Sequence, residues 1–402
     1  MTSVVVTGIG AIAPNGEGTS AYWKSTLEGV SGIRALSRFD ASGYPATLAG
    51  EVSFDAAAHL SSRLLPQTDH MTRMSLAAAS WALEDAAVDP ARLPDFSTGV
   101  ITAGTAGGFE FGQRELENLW SKGPKYVSAY QSYAWFYAVN TGQISIKHGM
   151  RGPSGVVVSD HAGGLDALAQ ARRQIRKGTR LVVSGGVDGS LCPWGWVAQL
   201  AGDRISTGDD PESAYLPFDS RAAGHVPGEG GALLVLEDGE AARERGASVY
   251  GEIAGYGATM DPRPGSGREP GLRRAITTAL ADAAVTAEEI DVVFADAAAL
   301  PELDRQEAAA LNAVFGPGRV PVTAPKTMTG RLAAGSASLD VAAALLAIRD
   351  QVIPPSVNVT PAPGHQLDLV TGSAREAAVG TALVLARGAG GFNSAAVVRA
   401  AA

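Results

Sequence analysis

Val156-Val157-Val158-Ser159-Asp160-His161-Ala162-Gly163-Gly164-Leu165-Asp166-Ala167 reads as a short buried strand, a turn of small residues and the start of a helix. The helical pattern runs from about Gly164 to Lys177, with Leu165, Leu168, Ala169 and Ile175 near helical spacing. Arg172, Arg173, Arg176 and Lys177 fill its last turn ahead of Gly178, as suits a helix C-terminus. They read as a solvated face or, alternatively, as a docking patch for an acidic partner. Later, Val320-Pro321-Val322 leads through Gly330 and Gly335 into an Ala-rich helix ending near Ile348. The same strand–loop–helix order used twice reads as a weak internal duplication. Two α/β halves placed back to back would bring helix N-termini to a shared centre, a usual place for a ligand site.

The same grammar continues outward. Val4-Val5-Val6, ending at Thr7-Gly8-Ile9-Gly10, reads as a buried strand entering a tight turn. Gly99-Val100-Ile101-Thr102, Leu181-Val182-Val183-Ser184 and Ala232-Leu233-Leu234-Val235-Leu236 read as further strands. A second round begins near Val249, with helices expected over 271–284 and 303–315 and closing strands over 381–386 and 395–398. The expected division is therefore 1–246 and 247–402.

Composition removes several functions. A hydrophobic fraction of 46% and a charged fraction of 18% are ordinary for a globular chain. A net charge of -9 argues against a nucleic-acid partner. Cys192 is the one cysteine, so no intrachain disulfide is possible, which fits a reducing cytosol. It reads as an apolar packer. No apolar run reaches 18 residues, so no membrane span is expected. The histidines lack ligand spacing, and no metal is expected. Thr7-Gly8-Ile9-Gly10 partly mimics a dinucleotide turn, but the third glycine is missing and Pro14-Asn15-Gly16 interrupts the helix that should follow. No cofactor is expected.

Several segments, in order, carry a more specific signal. They are Val158 to Ala167; Leu216-Pro217-Phe218-Asp219 with Gly224 to Ala232; Asp304-Arg305-Gln306-Glu307; Pro325 to Arg331; and Gly388-Ala389-Gly390-Gly391-Phe392-Asn393-Ser394. Together they resemble the ketosynthases of the thiolase fold. Among these the chain resembles the chain length factors, the non-condensing partner subunits of bacterial type II polyketide synthases. The resemblance implies an α/β, thiolase-like fold: duplicated halves in a five-layer α-β-α-β-α sandwich.

In active ketosynthases a cysteine at a helix N-terminus takes the acyl chain, and two histidines meet charge developing on oxygen. Carried over residue by residue, the nucleophile position is His161, the first histidine position Asp296 and the second Arg331. An ionised Asp296 would repel an oxyanion. Arg331 has no neutral form with which to relay a proton. The three are degenerate positions, and no catalytic residue is assigned. Lys326 and Glu307 match a structural ion pair of the fold. Chain length factors usually carry glutamine where this chain has His161, which puts a priming role in doubt. His161 either fills a collapsed pocket or, kept neutral by the helix N-terminus, donates a hydrogen bond to a thioester carbonyl.

Phe109, Gly112 and Leu116 fall at i, i+3 and i+7 of a helix that begins after Gly107-Gly108. With Trp194 they match the family's chain-length gate. Glycine inside a helix costs about 1 kcal/mol against alanine, which makes sense where something passes close by; a helix–helix contact needing a small residue is the alternative. Small gate residues leave a long cavity, so a product of about ten acetate units is expected. The resemblance also implies partners: a catalytic ketosynthase alpha subunit in an obligate heterodimer, a transient acyl carrier protein, and the growing poly-β-keto chain. It implies that Val156-Val157-Val158 is the edge facing the partner, and a cytoplasmic location. Two rival readings remain: a stand-alone malonyl carrier protein decarboxylase or acyltransferase using His161, and a scaffold without control of length.

Overall fold

The computed structural model describes residues 2–263 and 265–401. The first apolar stretch forms β1, Val4–Ala13, buried throughout. Its glycines do not make the expected turn. A Cβ on Gly8 would lie 2.1 Å from the Ala82 carbonyl oxygen, and one on Gly10 1.9 Å from that of Ala78. Both glycines instead admit α1, His70–Asp85, hard against the strand.

The first half continues with β2 (Thr98–Ala103), β3 (Ser154–Val157), β4 (Leu181–Asp188) and β5 (Gly230–Asp238). Its helices include α2 (Phe109–Lys122), α3 (Val139–His148), α4 (Gly163–Ile175) and α5 (Pro193–Leu200). The second half holds β6 (Gly251–Met260), β7 (Val292–Phe294), β8 (Pro321–Thr323), β9 (Thr381–Arg387) and β10 (Phe392–Arg399). Its helices are α6 (Leu272–Ala283), α7 (Pro301–Phe315) and α8 (Gly335–Asp350).

The strands lie in the order β3-β2-β4-β5-β1 in one half and β8-β7-β9-β10-β6 in the other. Counted from the start of each half, both orders are 3-2-4-5-1, the mark of a duplicated unit. The halves meet where β1 and β6 pair antiparallel, at Val5 with Glu252 and Val6 with Gly251.

Helices α4 and α8 form the middle layer between the two sheets. α8 is buried from Gly335 through Ile348, as its uniformly small and apolar sequence requires. A Cβ on Gly164 would stand 2.7 Å from the Ser338 nitrogen, so the two helices touch backbone to backbone. α1 and α3 cover the outer face of the first sheet, α6 that of the second, with α7 beside α6. Separate apolar clusters fill the middle and the two outer layers. The result is a five-layer α-β-α-β-α sandwich of thiolase type.

The basic end of α4 is only partly a solvated face. Arg172 is buried, 2.5 Å from Asp282 of α6, and also donates to the Ala254 carbonyl of β6. It ties the first half to the second.

Candidate functional site

Past β3 the chain turns sharply through the short helical turn Asp160–Ala162 and runs directly into α4. Asp160 adopts a left-handed φ of 53°, costly for a residue other than glycine. The conformation is held from the far end of the chain: Asp160 Oδ2 accepts the Ala389 N–H at 2.6 Å, within the C-terminal glycine turn. This elbow presents His161 at a helix start.

His161 Nδ1 lies 3.2 Å from the Ala333 carbonyl oxygen. A carbonyl can only accept, so Nδ1 carries the proton and Nε2 is left with a lone pair. Burial, and next the Arg331 charge, push the imidazole down to about 4. Burial rather than the helix N-terminus is thus the main reason that it is neutral. His225 packs edge-on, with ring centroids 5.8 Å apart. Its own protonation is suppressed by burial and by Arg331.

The structure brings Asp296 and Arg331 together. Arg331 Nη2 reaches Asp296 Oδ1 at 2.8 Å and Nη1 reaches Oδ2 at 3.1 Å, a bidentate fork. The Arg387 N–H donates to Asp296 Oδ1 at 2.8 Å, and the Arg387 carbonyl accepts from Arg331 Nη2 at 3.2 Å. Burial pushes the Asp296 carboxyl up, but Arg331, together with the Lys326 and Arg387 charges, more than reverses this and holds it below its usual value. Arg331 is likewise held charged against the cost of burial. The positions that the resemblance assigns to two proton-handling imidazoles are therefore filled by groups that bind each other.

The expected Lys326–Glu307 pair does not form. Lys326 Nζ lies 2.7 Å from Asp340 Oδ2 of α8 and also donates to the Ala295 carbonyl. Glu307 accepts the backbone N–H groups of Asp296 at 2.7 Å and Ala297 at 3.0 Å. Burial, and next the Asp296 charge, raise its carboxyl to about 7. Two N–H groups with no other partner claim Glu307, which leaves the lysine to the carboxylate on the central helix.

A cavity of about 80 Å³ remains, lined by Asp160, His161, Arg204, His225, Asp296 and Arg331 among others. Sequence reading missed Arg387, which braces this wall. Its guanidinium reaches Gln306 at 2.9 Å, the Leu303 carbonyl at 3.0 Å and Asn393 at 3.2 Å. A signal existed: an arginine closing an apolar strand, directly before a glycine turn, must find buried partners.

The second candidate region lies elsewhere and shares no lining residue with this cavity. Phe109 opens α2 and stacks on Trp194 of α5, centroids 4.6 Å apart and planes 6° from parallel. A Cβ on Gly112 would lie 3.1 Å from the Trp194 ring, so the glycine makes room for that indole. Leu116 and Trp194 border an open cleft with Gln113, Glu117, Trp120 and Ser121. The four gate candidates thus form one continuous patch. Cys192 is the cap residue of α5; burial pushes its thiol up to about 11, which makes it a poor nucleophile.

The family model described as beta-ketoacyl synthase, N-terminal domain, matches residues 1–242, and that of the C-terminal domain matches residues 250–360. The tetracenomycin polyketide synthase ketoacyl synthase beta subunit of Streptomyces glaucescens is 62% identical over 98% of both chains. Among solved structures, the ishigamide ketosynthase/chain length factor superposes with a TM-score of 0.89 at 28% identity, covering 100% of both chains. A type II polyketide synthase acyl-carrier protein in complex with its ketosynthase bound to the hexaketide gives 0.88 at 27% identity, again over 100% of both.

Proposed function

The chain belongs to the beta-ketoacyl synthase family, as a ketosynthase beta subunit of the chain-length-factor kind, and from that premise we propose that it contributes shape rather than chemistry to a type II polyketide synthase. It pairs with a catalytic ketosynthase alpha subunit as a heterodimer. It walls the tunnel in which the poly-β-keto chain grows, and an acyl carrier protein delivers that chain. The enzyme works in the cytoplasm.

The observation that carries this reading is the Asp296–Arg331 fork, in which the groups at the two imidazole positions spend their charges on each other. The partner surface is argued from exposure. Among the described residues β3 pairs only with β2, so one side of the strand is open. The segment that leads to it leaves Tyr126, Tyr130, Trp135, Phe136 and Tyr137 exposed. Aromatic residues around a free strand edge suit a permanent interface.

Within the tunnel, Phe109, Gly112, Leu116 and Trp194 form the stop. A chain that meets them must overpack the site, at about 1–3 kcal/mol for each added unit of bulk. The small Gly112 lets the Trp194 ring lie back against α2, which leaves a long tunnel and a product of about ten acetate units. The test is the double substitution Gly112→Thr with Leu116→Phe, assembled with the partner subunit and read by product mass. Shorter polyketides are expected; unaltered length removes these residues from the gate.

The geometry argues against a stand-alone decarboxylase using His161. A thioester oxyanion needs a donor, but the one proton of neutral His161 is committed to Ala333. Malonyl carrier protein incubated with the isolated subunit should yield no acetyl product.

A further inference from the structure

One buried carboxylate joins the N-termini of two helices. Asp69 is the cap residue of α1, its Oδ1 accepting the Met71 N–H at 2.9 Å. Its Oδ2 accepts the Phe111 N–H of α2 at 2.8 Å. That N–H is among the donors a helix start leaves without a partner. Asp69 is only 3% exposed. Burial pushes its carboxyl up to about 6, and the Phe111 N–H opposes that rise. The chain entering α2 is fitted around it. A Cβ on Gly108 would lie 3.0 Å from the Asp69 Cβ and 2.3 Å from the Ala134 carbonyl oxygen. One on Gly107, at φ 87°, would lie 2.3 Å from the Trp135 carbonyl oxygen. Capping of α1 accounts for the first hydrogen bond alone. The second acts on the turn that carries Phe109 and Gly112.

We infer that Asp69 is a positioning residue of the chain-length gate: its Oδ2 fixes the first turn of α2, and with it the Phe109–Trp194 wall, against the core helix α1. The inference rests on the gate reading above. Without that bond the wall yields to a growing chain, and longer products appear.

Two variants separate the anchor from the cap. Asp69→Ser keeps an oxygen for the Met71 N–H, serine being a good cap, but is too short to reach α2. Asp69→Asn keeps the shape and has one acceptor oxygen for two N–H groups. Each is assembled with the partner subunit, supplied with carrier protein and malonyl donor, and its products weighed. The share of products longer than the main one should rise about threefold, as loss of one ordinary hydrogen bond allows. An unchanged length distribution in both variants overturns the inference. Gly112→Thr with Leu116→Phe runs in parallel. If it shortens the product while the Asp69 variants change nothing, the gate stands and the anchor falls. If it too changes nothing, the gate reading falls and the anchor with it. Should neither Asp69 variant assemble, amide exchange on the unaltered heterodimer decides. A Phe111 N–H exchanging as slowly as that of Met71 supports the anchor; one as fast as the exposed end of α2 overturns it.

Discussion

Asp296 and Arg331 meet across 2.8 Å in the middle of the protein, and Lys326 meets Asp340 across 2.7 Å. Beside α2 the reverse holds: Trp194 and Leu116 turn outward, 41% and 39% exposed, and Phe109 is held there by stacking. The first region, where the resemblance places a reaction centre, has its charges spent on one another. The second has bulk, little charge and an open side. The difference teaches where the work of the protein lies. Charges locked in mutual ion pairs hold the loops of the second half against its central helix, and a wall of aromatic rings is free to meet something else.

If the centre is now structural, breaking it should damage stability and leave product length alone. Arg331→Ala strands the Asp296 carboxylate in the core, and loss of one partner of a buried pair costs about 3–5 kcal/mol. The melting temperature should fall steeply. Asp296→Asn together with Arg331→Met removes both charges and should recover most of the loss, since a buried pair is close to neutral against well-packed uncharged residues. Thermal denaturation of both variants checks this. Equal losses in the single and double variants would mean that packing, not the ion pair, carries the effect.

A smaller effect is expected at His161. Its ordinary value of 6.5 is depressed to about 4. Between these values the unfolded chain takes up a proton that the folded one refuses. Stability from this group is therefore full above about pH 6.5 and is lost as pH falls through 4, by up to about 3 kcal/mol. His161→Gln abolishes that loss. The stability of the variant relative to the unaltered chain should rise as pH drops through this window, measured by denaturant unfolding at several pH values. A difference independent of pH would show that the imidazole titrates freely, and the contrast between a buried, charge-paired centre and an exposed aromatic patch would weaken.

How much of this was written in the sequence depends on the kind of interaction. The apolar strands and the two central helices announced themselves by pattern, since burial between two sheets requires it: the helix expected to end near Ile348 runs to Asp350. The family motifs placed His161 at the elbow. What pattern could not reveal was pairing across the fold. Asp296 and Arg331 were each legible as a misfit, but nothing in their spacing shows that they answer one another. The family resemblance pairs Lys326 with Glu307, and no local pattern says otherwise. Asp340 hid inside an alanine-rich helix, where a lone carboxylate carries no periodic signal. The glycines of β1 misled in another way. Gly8 and Gly10 look like a turn, yet they serve the close approach of α1. Local sequence states what a residue permits, and only the packed neighbour decides which permission is used.

The proposed gate supplies the smallest energetic effect and the sharpest test of the comparison. Trp194→Phe keeps an aromatic partner for Phe109 while trimming the indole beside Gly112. Stacked pairs are worth about 0.5–1.5 kcal/mol beyond their buried area, and an exposed pair that remains aromatic should lose less than that. Melting should therefore barely move. The space above Gly112 grows, however, because the ring atom now 3.1 Å from its Cβ position is gone. Product mass should shift toward longer chains while stability holds, the opposite of what Arg331→Ala does. A variant that melted early with its product unchanged would place Trp194 among the structural residues. The outward-facing ring would then have to be explained by the partner surface alone.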